Sequence, residues 1–404
     1  MSRLKELMER LCPDGVEYKK LGEVGRFLRG SSFQKKHFVD FGTPCIHYGQ
    51  VHTRFGLSTD CVVSYLEEGF SSRMKRAQPG DLIIATTSED DDAVGKATAW
   101  LGDHEVVVSN DAFIYRHDLD PMYMSYFFAC EQFQVAKMPF ITGSKVRRLS
   151  GEDMAKIRIP VPPIEVQREV VRVLDSFQEL DDALTAEIEA RERQYSEMRN
   201  KLILDNTMVP YRPFGECCES MNTGPFGSMV HKSDYVDDGC PIVNPADITG
   251  TRITIGKRVS AEAEVRLDRY RLRENDIVIG RRGEMGRIGL VTAKSAGYLC
   301  GTGCFFVRMN DVALPSYWSH FFGTSYAKQY LDAHAVGGTM KNLNLSILGG
   351  MPVPIPELQQ QEFIVEKLGN AVSLIEAIRS ERDARRRQFA YYRDKLLSFP
   401  ERVG

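Results

Sequence analysis

Two stretches of about 40 residues carry apolar side chains at steps of mostly three and four, with charged residues between them. In the first, the apolar positions are Val166, Val170, Val173, Phe177, Leu180, Leu184, Ile188, Tyr195, Met198 and Leu202. In the second they are Leu368, Val372, Ile375, Ile378, Phe389, Tyr392 and Leu396. That spacing marks one face of an α-helix, and neither stretch contains an internal proline. Each predicts a helix reaching about 60 Å at 1.5 Å per residue, far longer than an ordinary globular helix. A lone amphipathic helix of that length would leave its stripe in water. The two are therefore expected to pair as an antiparallel coiled-coil spacer. Val170, Phe177, Leu184, Tyr195, Leu202, Leu368, Ile375, Phe389 and Leu396 would form the seam.

The two stretches also resemble each other. Residues 191–203 read RERQYSEMRNKLI and residues 385–397 read RRRQFAYYRDKLL, an offset of 385 − 191 = 194 without a gap. A second block precedes each helix. Ile159-Pro-Val-Pro-Pro-Ile-Glu-Val-Gln-Arg-Glu169 recurs as Met351-Pro-Val-Pro-Ile-Pro-Glu-Leu-Gln-Gln-Gln-Glu362, aligned here with one inserted residue. Two ordered blocks at one spacing indicate a duplication of about half the chain. The prolines mark where a globule hands over to its helix, since proline restricts the residue before it and suits a first helical turn.

Between the helices the pattern changes to short β-like runs: 81–85, 106–108, 276–279, 287–291 and 304–307. Each globule then has an aromatic helical run, at 122–133 and 317–330. Gly80-Asp-Leu-Ile-Ile84 stands opposite Asn275-Asp-Ile-Val-Ile279, and Thr43-Pro-Cys-Ile46 opposite Cys240-Pro-Ile-Val243. The expected fold class is two tandem α/β (α+β) globules, each followed by a long α-helix. The expected divisions are an N-terminal segment (1–15), a first globule (16–161), a first helix (162–207), a second globule (208–354) and a second helix (355–404). Helices that recur in pattern beside globules that diverge describe two similar readers held apart.

Composition narrows the classes. The 404 residues, 43% of them hydrophobic, suffice for two or three domains with sizeable cores. No apolar run approaches a membrane span, and the charged N-terminus MSRLKELMERLCPDG lacks a signal-peptide core, so a cytoplasmic protein is expected. Nine scattered cysteines argue against a disulfide framework. Cys217-Cys218 and Cys300-x-x-x-Cys304 have no second pair to complete a zinc site, so no metal is expected. The net charge of −3 means that any nucleic-acid contact must rest on local positive patches or on partners.

Three features together resemble a known family. They are Leu11-Cys-Pro-Asp-Gly-Val-Glu-Tyr-Lys-Lys-Leu-Gly-Glu23, each Pro-rich block leading into its long helix, and Ile277-Val-Ile-Gly-Arg-Arg-Gly-Glu-Met-Gly-Arg287. Their order, repeated twice along essentially the whole chain, resembles the specificity subunit of a type I restriction–modification system. The resemblance implies that the globules are target recognition domains, each reading half of a split sequence in double-stranded DNA. It implies that the helices set the unread gap and dock two methyltransferase subunits, and through them restriction subunits. The chain itself would catalyse nothing and hold no cofactor, with S-adenosylmethionine, ATP and Mg²⁺ belonging to partners. The first globule departs from the pattern, because its loop Thr86-Thr-Ser-Glu-Asp-Asp-Asp-Ala-Val-Gly-Lys96 is longer and acidic.

Candidate DNA contacts follow from residue chemistry. Arg281 and Arg282 sit in a Gly-bracketed turn after a strand, with Arg287 at its end, and a guanidinium can grip guanine or phosphate. Lys35, Lys36 and His37, then Arg73, Lys75 and Arg76, then Lys145, Arg147 and Arg148 form basic clusters suited to phosphate. Lys341, Asn342 and Asn344 occupy the place of the last cluster in the second globule. Gln50, His52 and Asn244 follow short strands and can pair with base edges. Thr87, Ser88 and Lys96 on the acidic loop, and His231 and Lys232, complete the set. For each, a solvated surface or an ordinary loop hydrogen bond is the competing reading.

Enzymatic readings find no support. Asn244-Pro-Ala-Asp247 lacks the second proline and aromatic of an adenine methyltransferase motif, and Pro13-Asp14 with Glu17-Tyr-Lys19 is spaced too tightly for a Mg²⁺ nuclease site. The alternatives to DNA recognition are a protein–protein scaffold with two binding globules and a degenerate methyltransferase fusion.

Overall fold

The computed structural model describes residues 2–205, 209–249, 252–281, 287–335 and 343–402. Two continuous helices dominate it, Ile164–Leu204 and Leu358–Leu396. The chain divides into two units, the first of residues 1–185 with 381–404 and the second of residues 186–380. Each unit contains one half of each long helix.

Within the first unit two mixed sheets are built from distant segments. One runs in the order Gly25–Arg29, Ala112–His117, Leu82–Ala85, Ala97–Trp100, Ser58–Thr59, antiparallel except at the last pairing. The other runs Phe38–Val39, Tyr65–Leu66, Thr43–Ile46, Val106–Val108, Arg76–Ala77, with Val106–Val108 parallel to Thr43–Ile46. The strands Leu82–Ala85, Ala97–Trp100 and Val106–Val108 are buried along their whole length. They therefore read as apolar runs rather than alternating ones. The second unit repeats this plan. Its first sheet orders Cys218–Thr223, Cys304–Met309, Ile277–Gly280, Ile288–Leu290. Its second orders Tyr235–Val236, Lys257–Val259, Cys240–Val243, Leu299–Cys300, the last pair parallel.

The duplication is visible bond by bond. Tyr123 Oη donates to the Pro160 carbonyl at 3.0 Å and Tyr317 Oη to the Pro354 carbonyl at 2.9 Å. Gln167 Nε2 donates to the Pro162 carbonyl and Gln361 Nε2 to the Pro356 carbonyl, both at 2.7 Å. Every partner is displaced by 194 residues (317 − 123, 354 − 160, 361 − 167, 356 − 162). The Pro-rich blocks thus align without the inserted residue that the letters alone called for.

Each aromatic run is two helices rather than one. Pro121–Ala129 and Glu131–Lys137 break at the extended Cys130, and Pro315–Phe321 and Ser325–His334 break before the extended Thr324. The second helix of each pair is fastened by the long helices. Asp394 Oδ1 accepts from the Glu131 N–H and Asn200 Oδ1 from the Ser325 N–H, both at 3.0 Å.

The apolar stripes serve two kinds of contact. Val170 and Leu396 are buried in the first unit's core beside Tyr123 and Met154, and Leu368 is buried in the second unit's core, with Tyr195 and Leu202 packed half-buried against it. These positions therefore belong to the globules as much as to a helix seam. Helix meets helix elsewhere. Phe177 lies against Phe389 (6.1 Å) and stacks on Tyr392 (5.6 Å), and Arg386 grips Asp181 through both carboxylate oxygens. In the second unit Arg379 pairs with Glu192, while Ile375 is buried; in the first, Leu184 is half-buried. The 177–392 and 181–386 contacts run in opposite chain directions, so these helix halves are antiparallel.

The N-terminal segment is part of the first unit. Its helix Ser2–Leu11 buries Leu4 and Leu7 in the same core as Leu396 and Leu397. Val16 N–H donates to the Pro400 carbonyl at 2.8 Å, and Arg158 pairs with Glu401 at 2.5 Å.

Candidate nucleic-acid interface

Strand pairing gathers several of the polar candidates of the first unit. Thr87–Ser88 pairs antiparallel with Arg147–Arg148. His52, at the end of the helix Tyr48–Thr53, places Nε2 3.0 Å from the Thr87 carbonyl oxygen. Three segments, around 52, 87 and 147, thus form one patch, with Arg148 exposed and Lys145 exposed on the adjoining turn. Burial lowers the pKa of His52, partly countered by its bond to Thr87. The ring is therefore neutral at pH 7 and suited to hydrogen bonding rather than to charge.

The acidic loop folds against this patch. Asp91 Oδ1 pairs with Arg147 Nε at 2.8 Å. The wholly buried Lys137 donates from Nζ to the Asp92 and Val94 carbonyls at 2.9 and 2.7 Å. Burial pulls its pKa down to about 8, against the pull of the Asp90–Asp92 carboxylates. Lys96 lies beneath, its Nζ donating to the His52 and Phe55 carbonyls at 3.2 Å each, and burial lowers its pKa as well. Lys96 thus holds the helix that carries His52. Gln50 is also inside: Oε1 accepts from the His47 N–H and Nε2 donates to Ser64 Oγ at 2.7 Å. Both ends of that amide are engaged by the fold.

A second basic group lies on the other sheet of the same unit. Lys35 and Lys36 are exposed on a 3₁₀ turn, and His37 on that turn packs its ring 4.8 Å from Phe70. Phe70 sits on the helix Glu68–Ser71, which leads into the exposed Arg73 and Lys75. Arg76 is half-buried in its strand.

In the second unit Arg281 and Arg287 stand where the acidic loop of the first unit begins and ends, at Thr86 and Lys96. Leu149 N–H donates to the Thr86 carbonyl in the first unit, and Leu343 N–H donates to the Arg281 carbonyl in the second, each at 3.1 Å. Arg281 therefore corresponds to Thr86, and its guanidinium lies 5.9 Å from the Phe305 ring centre. The Arg287 carbonyl accepts from the Gly280 N–H, as the Lys96 carbonyl does from the Ala85 N–H in the first unit. Arg282, Lys341 and Asn342 lie outside the described residues. Asn344 caps the helix Leu345–Gly349 through Oδ1 to the Ile347 N–H, as Ser150 caps Gly151–Met154. Asn244 precedes the 3₁₀ turn Pro245–Asp247, its N–H bound to Asp247 Oδ2 at 2.8 Å. His231 and Lys232 are exposed at the start of another such turn.

Two features escaped the pattern of letters. Phe41 is 89% exposed at the tip between Phe38–Val39 and Thr43–Ile46. Lys257 and Arg258, on a strand 25 residues beyond Lys232 (257 − 232), share a cleft with it. An apolar residue between turn formers signals the first, whereas only strand pairing reveals the second.

Among the described residues no group of histidine, cysteine and carboxylate side chains is placed to hold a metal ion, and no helix is long and apolar enough to cross a membrane.

Residues 13–191 and 214–384 each match the type I restriction modification DNA specificity domain. The chain belongs to the type I restriction–modification specificity family. The two matched segments fall on the two copies of the duplication. The EcoR124I/EcoR124II type I restriction enzyme specificity subunit of Escherichia coli is 26% identical over 276 residues, covering 65% of this chain and 68% of that one. A type I restriction enzyme specificity subunit of Haemophilus influenzae is 25% identical over 99% of this chain and 100% of its own. Solved structures of the family share the fold. One, from work on complex assembly of the type I restriction–modification system, has a TM-score of 0.62 at 18% identity over 95% of this chain and 97% of its own. The specificity subunit of M. genitalium has a TM-score of 0.52 at 12% identity over 95% and 96%. As a member of this family the chain is a DNA-recognition component, not an enzyme.

Proposed function

We propose that this specificity subunit reads a bipartite sequence in double-stranded DNA. The globule at 16–161 takes one half-site and the globule at 208–354 takes the other. The long helices set the unread gap and dock two methyltransferase subunits, and through them restriction subunits. S-adenosylmethionine, ATP and Mg²⁺ belong to those partners.

One observation carries this reading. The scaffold bonds repeat at a constant offset while the loop side chains at matching positions differ. Tyr123 and Tyr317 make the same bond, as do Gln167 and Gln361. Thr86 stands where the second unit has Arg281. Structural duplicates would not need a guanidinium where the other copy holds a buried threonine. Two readers of different half-sites would, because base edges specify sequence while phosphate contacts only position the protein.

The test is co-expression with the cognate methyltransferase subunit in a methylation-free host, followed by mapping of methylated adenines. The expected result is a split motif with a fixed unread gap. Replacing residues 208–354 with those of a relative should change only one half. A continuous motif, or a swap that alters both halves, would overturn the assignment of one half-site per globule.

A further inference from the structure

The second unit holds a cleft of about 660 Å³ beside the strand Lys257–Val259. Its walls include Lys232, Tyr235, Asp237, Ile255, Lys257 and Arg258. The strand is fixed from both sides, pairing with Tyr235–Val236 and with Cys240–Val243. Arg258 spans the hairpin, donating from Nη1 to the Gly239 carbonyl at 2.9 Å. Lys257 places Nζ 4.7 Å from the centre of the Tyr235 ring. The cleft thus has three cations and one carboxylate on a rigid floor. Among the described residues, neither Lys232 nor Lys257 makes an ion pair or a side-chain hydrogen bond. Three cations against a single carboxylate leave the cleft net positive, and an anion entering it would relieve the repulsion among them.

The first unit shows that this charge is not part of the scaffold. Strand register equates Val39↔Tyr65 with Val236↔Arg258. Tyr65 therefore stands for Arg258 and Ser64 for Lys257. Ser64 is buried and accepts from the Gln50 amide. Only Lys35 matches, in the place of Lys232 on the same 3₁₀ turn.

We propose that this cleft seats a phosphodiester of the DNA backbone at the second half-site, with Lys232 and Lys257 as the contacts and Arg258 as the positioning residue. This rests on the DNA-recognition reading and adds to it which groups anchor the second globule. The chemistry required is a phosphate, which either DNA or a free nucleotide could supply.

The experiment uses the complex with its methyltransferase subunits and two duplexes, one with the mapped motif and one scrambled. Affinities are measured across salt for the parent, Lys232→Gln and Lys257→Gln. Each phosphate contact contributes about 0.9 to the slope of log affinity against log salt. Each variant should therefore have a slope shallower by about 0.9, and between about 50 and about 200 mM salt it should lose about 3.5-fold less affinity than the parent. Both duplexes should be affected alike, and the methylated motif should not change. An unchanged slope in both variants, with the parent still binding, would overturn this inference and leave the DNA reading intact. A changed motif would also overturn it, by making these residues base readers. No DNA binding by the parent at any salt would remove both readings together. Calorimetric titration of the DNA-free complex with inorganic phosphate and with ATP covers the other source. Saturable binding lost in Lys257→Gln would reassign the cleft to a free phosphate ligand. Unchanged thermal midpoints in both variants would exclude misfolding as the cause of any effect.

Discussion

Gln361 ties globule to helix in the second unit. It is fully buried, with its amide bonded three times. Oε1 accepts from the Leu314 N–H at 2.8 Å, while Nε2 donates to the Pro356 carbonyl at 2.7 Å and the Val312 carbonyl at 3.0 Å. Its duplicate Gln167 makes two of these bonds, from the Asp120 N–H at 2.9 Å and to the Pro162 carbonyl at 2.7 Å. Replacement by leucine keeps the volume and removes every partner. A buried backbone group left without a partner costs about 1–3 kcal/mol, and the added apolar surface offsets part of that. Gln361→Leu should then destabilise the second unit by about 3–4 kcal/mol and Gln167→Leu the first by about 2–3 kcal/mol. Against a typical domain stability of about 5–15 kcal/mol these are large losses. Urea unfolding read by hydrogen–deuterium exchange of peptides containing Asp120 and Leu314 follows each unit separately. The signature is the ordering, with the three-bond glutamine losing more, at unchanged denaturant slope. Losses below about 0.5 kcal/mol in both variants would show that water or relaxation replaces the amide. A reversed order would refute the bond-counting argument.

Two further expectations follow from the same contacts. His320 is buried against Tyr195, whose Oη lies 3.0 Å from Nδ1, and burial, with Arg199 nearby, pulls its pKa down to about 4. The ordinary value is about 6.5, so the unfolded chain binds a proton that the folded one refuses. The second unit should keep its full stability above about pH 6.5 and lose about 3 kcal/mol as the pH falls to about 4. His320→Gln should be less pH-sensitive by that amount across the window, and equal pH profiles for parent and variant would contradict the assignment. The cross-helix caps are the other test. Asp394→Ala and Asn200→Ala should each cost about 1 kcal/mol in thermal or urea unfolding. The aspartate should cost more, because its charge also faces a helix N-terminus; equal losses would argue against that charge effect.

Local pattern in the sequence determined the long helices, the duplication and the buried strands. A period of three to four over about 40 residues has no other economical fold, and apolar runs such as Leu-Ile-Ile-Ala at Leu82–Ala85 mark strands covered on both faces. The handover prolines were legible too, although the letters suggested an insertion that the paired bonds of Tyr123 and Tyr317 remove. The breaks at Cys130 and Thr324 were not legible, because apolar periodicity continues across them while the backbone turns extended. The surface was decided by tertiary structure. His52, Thr87 and Arg147 are separated by 35 and 60 residues (87 − 52, 147 − 87) and meet only because strands pair. Gln50 and Lys96 look like DNA contacts in sequence, yet the fold turns both inward onto backbone or buried partners. Lys257 joins Lys232 through a strand register that no local signal encodes. Helix periodicity is a property of neighbours in the chain, whereas a binding patch depends on which distant strands share hydrogen bonds, and that choice belongs to the packed core.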